Sequence, residues 1–296
     1  MLTVKNLSFS YSSEPFIENM SFQVERGEIF GFLGPSGAGK TTLQKIVTGL
    51  ITTYKGSVTL GGVECKSHDN HFYENIGVDF EFSTMYEKLT ARQNLAFFSS
   101  LYAKKTKPIG AMLAEIGLQN DADKKVSDYS KGMKSRLNFI KALLHDPVVL
   151  FLDEPTSGLD PANSRLMKDM ILREKADGKT IFLTTHNMVD ATELCDRVAF
   201  IVNGAIKALD SPHNLIMQKG AAKVRYSYRD RQEKQGDTIS NSYRDGKERI
   251  GECLLSDTAN DSILNTLIRE NRILSIHSSE PTLNDIFMEV TGRRLL

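Results

Sequence analysis

Gly34-Pro35-Ser36-Gly37-Ala38-Gly39-Lys40-Thr41 spells the pattern G-x-x-x-x-G-K-[ST]. Before it, Glu28-Ile29-Phe30-Gly31-Phe32-Leu33 reads as a buried strand, and residues 42–50 after it suit a helix. That strand–loop–helix context is what gives the motif its meaning. Glycines let the loop curl so that successive backbone N–H groups face an anion, and the following helix adds the positive end of its dipole. Lys40 then neutralises β/γ-phosphate charge and the Thr41 hydroxyl meets Mg²⁺. The competing reading is a glycine-rich turn with no ligand.

A second element of phosphate chemistry lies downstream. Val148-Val149-Leu150-Phe151-Leu152 is a continuous apolar run that ends in Asp153-Glu154-Pro155. It fits a strand buried on both faces, with acids emerging at its carboxyl end. Ligands of open α/β sheets bind at that edge. Asp153 is placed to hold Mg²⁺ or its water shell, and Glu154 to polarise a water for in-line attack on a γ-phosphate. Alone, the run is also consistent with a strand that merely ends in an acidic turn.

Three shorter segments narrow the class. Tyr129-Ser130-Lys131-Gly132-Met133 precedes an amphipathic stretch over residues 134–145, so Ser130 and the Gly132 backbone can offer donors to a phosphate. The plainer alternative is a serine helix cap beside a glycine turn. Ser157-Gly158-Leu159-Asp160 follows the acids, and Pro161 opens a helix that Gly178 stops. His186 ends the strand Thr180-Ile181-Phe182-Leu183-Thr184-Thr185, where parallel pairing aligns it with the same phosphate edge; a lone histidine there can also be structural.

Composition bounds the answer loosely. A chain of 296 residues with 40% apolar content suits about two globular domains. Lys+Arg and Asp+Glu balance at 37 each, which disfavours nucleic-acid binding and gives no electrostatic pull toward anionic lipid. Cys65, Cys195 and Cys253 are odd in number and widely spaced, as expected of reduced, buried residues in a cytosolic setting. Neither a leader segment nor an apolar run of spanning length is expected in this sequence.

Taken in order, the motifs resemble those of the ATP-binding subunits of ABC transporters: Walker A at 34–41, the signature at 129–133, Walker B at 148–154, the D-loop at 157–160 and the switch His186. The similarity runs from residue 1 to about 215, and the tail Glu280-Pro281-Thr282-Leu283-Asn284-Asp285-Ile286-Phe287 resembles drug-export and sodium-export subunits of bacteria. The resemblance implies an α/β P-loop NTPase: a RecA-like core, an antiparallel β subdomain and a helical subdomain at about 87–146. A small α+β appendage at 216–296, regulatory or dimerising, would follow. The implied ligands are ATP and Mg²⁺. The nucleotide would contact Tyr11, stacked on adenine, then Gly34, Pro35, Ser36, Gly37, Ala38, Gly39, Lys40, Thr41 and Thr42. Asp160 would bind the nucleotide as well, and Ser130 and Gly132 would complete the partner's site in a head-to-tail dimer, homodimeric or else heterodimeric. Thr41, Asp153 and Glu81 would serve the metal, and Glu154, His186 and Lys40 the catalysis. For Tyr11 the alternative is an ordinary tyrosine at a strand end.

The implied partner is a separately encoded transmembrane permease, which places the chain at the cytoplasmic face of the membrane and, by the tail, in export. A soluble ATPase of this family acting on ribosomes or DNA, and a small-molecule P-loop kinase, are the alternatives; the single cassette and the signature weigh against them. Two positions depart from the family pattern. Glu81 stands where glutamine is common, and Lys131 where glycine is common. Beyond Pro212 the charged residues 223–247 read as a solvated hairpin, residues 250–255 as a strand, residues 257–270 as a helix and Thr282 with Asp285 as a capping box.

Overall fold

The computed structural model describes residues 1–80, 84–219, 223–229, 248–255 and 258–292. Contacts divide the chain into two compact units, Met1–Pro212 with Val290–Leu296, and His213–Glu289.

The first unit begins with β1 (Leu2–Phe9) and β2 (Ile17–Val24), an antiparallel pair, and continues with β3 (Ile29–Leu33). All five residues of β3 are buried, whereas β1 and β2 carry exposed or half-buried positions between their buried ones, as expected of a strand inside a layered core against strands with one wet face. Next come α1 (Lys40–Val47), β4 (Lys55–Leu60), β5 (Val63–Glu64), α2 (Asn70–Tyr73) and β6 (Ile76–Asp79). The helices α3 (Ala91–Ser99), α4 (Ile109–Glu115) and α5 (Lys131–Leu143) follow, and then β7 (Val149–Asp153), α6 (Pro161–Ala176), β8 (Thr180–Thr185), α7 (Met188–Leu194), β9 (Arg197–Val202) and β10 (Ala205–Asp210).

Two sheets result. β2-β1-β4-β5 is antiparallel, and β10-β9-β3-β8-β7-β6 is parallel except for its edge strand β10. Aromatic rings join the layers, with Phe22 of β2 stacked on Phe30 of β3 at 5.5 Å between centroids; within the larger sheet Phe30 stacks on Phe182 of β8 at 5.9 Å. Each such buried ring stabilises the layer by roughly 1.5–3 kcal/mol. Register then fixes the functional edge, because Leu33 pairs with Thr185 and Asp153 with Thr184. The loop after β3, the acid after β7 and the histidine after β8 therefore leave the sheet side by side.

The second unit holds α8 (Pro212–Lys219), β11 (Lys223–Arg229), β12 (Glu248–Leu254), α9 (Ser262–Arg269), β13 (Ile273–Ser279) and α10 (Leu283–Thr291), except for Pro212 at the start of α8 and Val290 and Thr291 at the end of α10. β12-β11-β13 form an antiparallel sheet, and Val224 and Tyr226 pack on Leu264 and Leu267 of α9. α9 starts later than the sequence pattern places it. Asp261 is its cap, accepting from the Leu264 N–H at 2.8 Å, so the preceding polar residues stay outside the helix. Thr282 and Asp285 do form a capping box, with N–H to side-chain bonds of 2.9 and 3.2 Å. Most of the charged stretch expected as a solvated hairpin lies outside the described residues.

Candidate active site

The loop after β3 is shaped by its glycines. Gly37 and Gly39 have φ of 77° and 109°, left-handed values that side chains resist, and they turn the chain into α1. Gly34 is needed for space: a Cβ there would stand 2.5 Å from the Ile201 carbonyl oxygen. Lys40, the first helical residue, donates to the Gly34 and Pro35 carbonyls at 2.7 and 3.2 Å, so its ammonium lies across the mouth of its own loop.

Thr41 Oγ1 donates to Asp153 Oδ2 at 3.4 Å, across 112 residues of sequence. The Thr184 hydroxyl donates to the other oxygen, Asp153 Oδ1. Glu154 sits just past β7 with φ of 51°, a left-handed conformation uncommon for a glutamate. Its N–H is satisfied by the Thr184 carbonyl at 2.9 Å. Thr185 Oγ1 donates to Glu154 Oε2 at 3.0 Å, and His186 Nδ1 lies 2.7 Å from Glu154 Oε1. Only 8% of the Glu154 side chain is exposed, against 49% for His186. Ser36, Gly37, Gly39, Lys40, Thr41, Thr42, Asp153, Glu154, His186 and Phe16 line one cleft of about 220 Å³. A hydroxyl and a carboxylate that converge on open space, with room for phosphate oxygens, suit Mg²⁺, which takes few protein ligands and completes its shell with phosphate and water.

Tyr11 is 64% exposed, with its ring edge-on to Phe9 at 4.7 Å and to Phe16 at 5.4 Å. Its hydroxyl shares a 2.9 Å hydrogen bond with Thr42 Oγ1, which ties the ring to α1. A large aromatic held by its rim with an open side is a stacking platform.

The remaining expected residues gather elsewhere on the first unit. Ser130 caps α5, accepting from the Met133 N–H at 3.3 Å, so Lys131, Gly132 and Met133 lie inside the first helical turn. Gly132 abuts α6, where a Cβ would stand 2.8 Å from the Asn163 side chain. Asn163 Nδ2 in turn donates to Asp160 Oδ2 at 2.5 Å. Asp160 caps α6, and hydrogen bonds from Asn163 hold its carboxyl below the usual range. Lys131 reaches over Gly158, whose φ is 64°. Ser130, Gly158 and Asp160 are exposed and Gly132 is buried beside them, and none of the four lines the Lys40 cleft. Glu81 lies outside the described residues.

Thr184, Thr185 and Asn163 were not singled out from sequence, although the paired threonines at the end of β8 stand next to the acids by parallel register.

The sequence matches the ABC transporter family profile over residues 17–157. The fluoroquinolones export ATP-binding protein of Mycobacterium tuberculosis is 47% identical over 297 residues, covering 100% of this chain and 94% of that protein. The chain belongs to the ABC transporter family. The Nod factor export ATP-binding protein I of Rhizobium meliloti is 35% identical, covering 99% and 89% of the two chains. A solved ATP-binding subunit of an ABC transporter superposes with a TM-score of 0.67 at 28% identity, covering 73% of this chain and 92% of its own. As an ABC protein the chain binds ATP and carries the family's P-loop ATPase fold, and it is an ATP hydrolase. Among the described residues no helix is long and apolar enough to cross a membrane.

Proposed function

We propose that this subunit hydrolyses ATP in the cleft at Lys40 to drive export through a separately encoded transmembrane permease, working at the cytoplasmic face of the membrane. The observation that carries the reading is Glu154, held at the end of β7 by Thr185 and His186 and facing the cleft that Lys40, Thr41 and Asp153 line. A carboxylate fixed by two partners has its remaining lone pairs to accept the proton of an attacking water. His186, which also lines the cleft, has Nδ1 toward Glu154 and orients that carboxylate.

Backbone N–H groups of residues 36–42 cradle the phosphates, and Lys40 exchanges its loop carbonyls for them. Tyr11 stacks on the adenine. Thr41 and Asp153 hold Mg²⁺, which when bound screens the β- and γ-phosphate charge. Glu81 is a further metal contact in this reading.

Two copies pair head to tail, so that Ser130, Gly132 and Asp160 of one chain meet the nucleotide held by the other. None of these three residues lines the Lys40 cleft of its own chain. Closure then depends on the γ-phosphate, and its loss removes the preference for the closed pair. The two relatives are named for export of fluoroquinolones and of Nod factor. Fluoroquinolones and Nod factor are accordingly the cargo to test.

The test is ATPase activity and calorimetric ATP affinity of the purified chain, with Lys40→Ala as the control. Loss of the ammonium is expected to weaken binding at least ~10-fold. An unchanged affinity and rate would remove the assignment. Reconstitution with its permease partner, in vesicles carrying a fluorescent fluoroquinolone, tests export.

A further inference from the structure

Asp79, Asn138 and Lys141 are buried polar residues that the chemistry above leaves unused. Asp79 closes β6 and pairs with Leu152, which places it beside the strand end that bears Asp153. Asn138 of α5 donates to Asp79 Oδ1 and, at 3.3 Å, to the Phe80 carbonyl. Its Oδ1 accepts from Lys141 Nζ at 2.8 Å, and that ammonium also donates to Thr84 Oγ1 at 2.6 Å. The ammonium stands 5.3 Å from the centre of the Phe98 ring of α3. Two side chains one turn apart on α5 therefore hold the end of β6, the approach to α3 and a ring of α3 itself.

Burial works against the charge on both Asp79 and Lys141. Apolar residues would fill such a place without that cost, so a retained buried pair invites a positional role. The geometry supplies one, since Asp79, Asn138, Asp153 and Glu154 all line one cavity of about 210 Å³. Ser130 and Gly132 stand at the amino end of the same α5.

We propose that Lys141 is a positioning residue for hydrolysis: through Asn138 it fixes the carboxyl half of α5 against Asp79 and the acid-bearing edge of the sheet. The network thereby sets where Ser130 and Gly132 stand relative to Glu154. The inference rests on the site roles proposed above.

Steady-state ATPase assays, binding of a fluorescent ATP analogue and thermal melts are measured for Lys141→Met, for the neutral pair Asp79→Asn with Lys141→Met, and for Lys141→Arg. Lys141→Met alone strands a buried carboxyl and is expected to melt lower. The neutral pair is expected to melt near the wild type and to keep KM and analogue affinity within about twofold, while kcat falls ~10-fold through misplacement. Lys141→Arg, which keeps charge and reach, is expected to recover most of the rate. A neutral pair with wild-type turnover overturns the proposal, because the charges would then matter only to each other. Thr84→Val provides a second route if the pair does not fold. It is expected to lower kcat about threefold in the wild type and to have no further effect beside Lys141→Met; equal effects in both backgrounds also overturn the proposal. Glu154→Gln in the same assay reports on the site reading separately. If that variant hydrolyses normally the site assignment fails, whatever the network does.

Discussion

His186 Nδ1 lies 2.7 Å from Glu154 Oε1, although the two residues end different strands. Parallel pairing of β7 with β8 makes this possible, and Thr185 takes the second carboxylate oxygen at 3.0 Å. Glu154→Gln keeps the shape but cannot accept a proton from water. ATP binding is expected to persist while turnover falls ~10²–10⁴-fold. Stalled nucleotide should then hold two chains together, so size exclusion with ATP is expected to show a dimer for this variant. A monomer under saturating ATP would count against the composite site. His186→Ala frees one oxygen only, and its smaller loss of rate at unchanged ATP affinity checks the orienting role.

Gly132 gives the second prediction. A Cβ at that position meets Asn163, and Asn163 holds the Asp160 carboxylate. Gly132→Ala is expected to leave ATP affinity of the single chain within about twofold, because the Lys40 cleft does not include it. ATP-driven dimerisation of the Glu154→Gln protein should weaken when Gly132→Ala is added. Analytical ultracentrifugation of the double variant decides the matter, and an equally tight dimer would show that this surface faces solvent.

The parts legible in sequence were those whose physics is local. The loop at 34–41 announces itself through glycines that must turn and a lysine that must follow them, and the strand at β7 through five buried apolar or acidic residues in a row. The cap at Thr282 was equally readable, since both partners lie within three residues. What escaped depends on pairing across the chain. Asn138 meets Asp79 over 59 residues, and Asn163 comes against Gly132 only because the first turns of α5 and α6 meet. The antiparallel sheet came from family resemblance alone, because bulges in β1 break the alternation that marks a half-buried strand. Asp257, an acid four residues upstream, hid the true cap, Asp261.

The division of the chain makes a third prediction. All five motifs lie within Met1–Pro212, and the other unit, His213–Glu289, has its own small core of Val224, Tyr226, Leu264 and Leu267. A chain ending at residue 212 is expected to keep ATP affinity within about threefold. It also loses Val290–Leu296, which group with the first unit, so its melting temperature should fall by a few degrees. Calorimetry on the shortened, folded protein is the measurement. Loss of ATP binding would mean that the second unit shapes the cleft.

His145 supplies a prediction about pH. The residue is fully buried, its ring stacked on Tyr102 at 3.8 Å between centroids, and one nitrogen, Nε2, lies 2.8 Å from the Ile76 carbonyl. A carbonyl only accepts, so Nε2 carries the hydrogen, and the buried Nδ1 has no hydrogen-bond partner among the described residues. A second proton would have to sit on Nδ1 as an unsolvated charge. Burial accordingly pushes the pKa down from 6.5 to about 4, against the pull of the Ile76 carbonyl and of nearby Glu74 and Asp146, while Lys104 pushes the same way as burial. Between these values the unfolded chain binds a proton that the folded chain refuses, so stability falls as pH drops from 6.5 toward 4. Above pH 7 both states are neutral and the residue is indifferent. At pH 5 the linkage amounts to about 2 kcal/mol. Urea denaturation at pH 7.5 and pH 5 should therefore show the wild type losing about 2 kcal/mol more than His145→Gln, which keeps a donor for Ile76 but cannot titrate. Equal losses in the two proteins would mean that the ring takes up its proton in place and that burial does not hold it neutral.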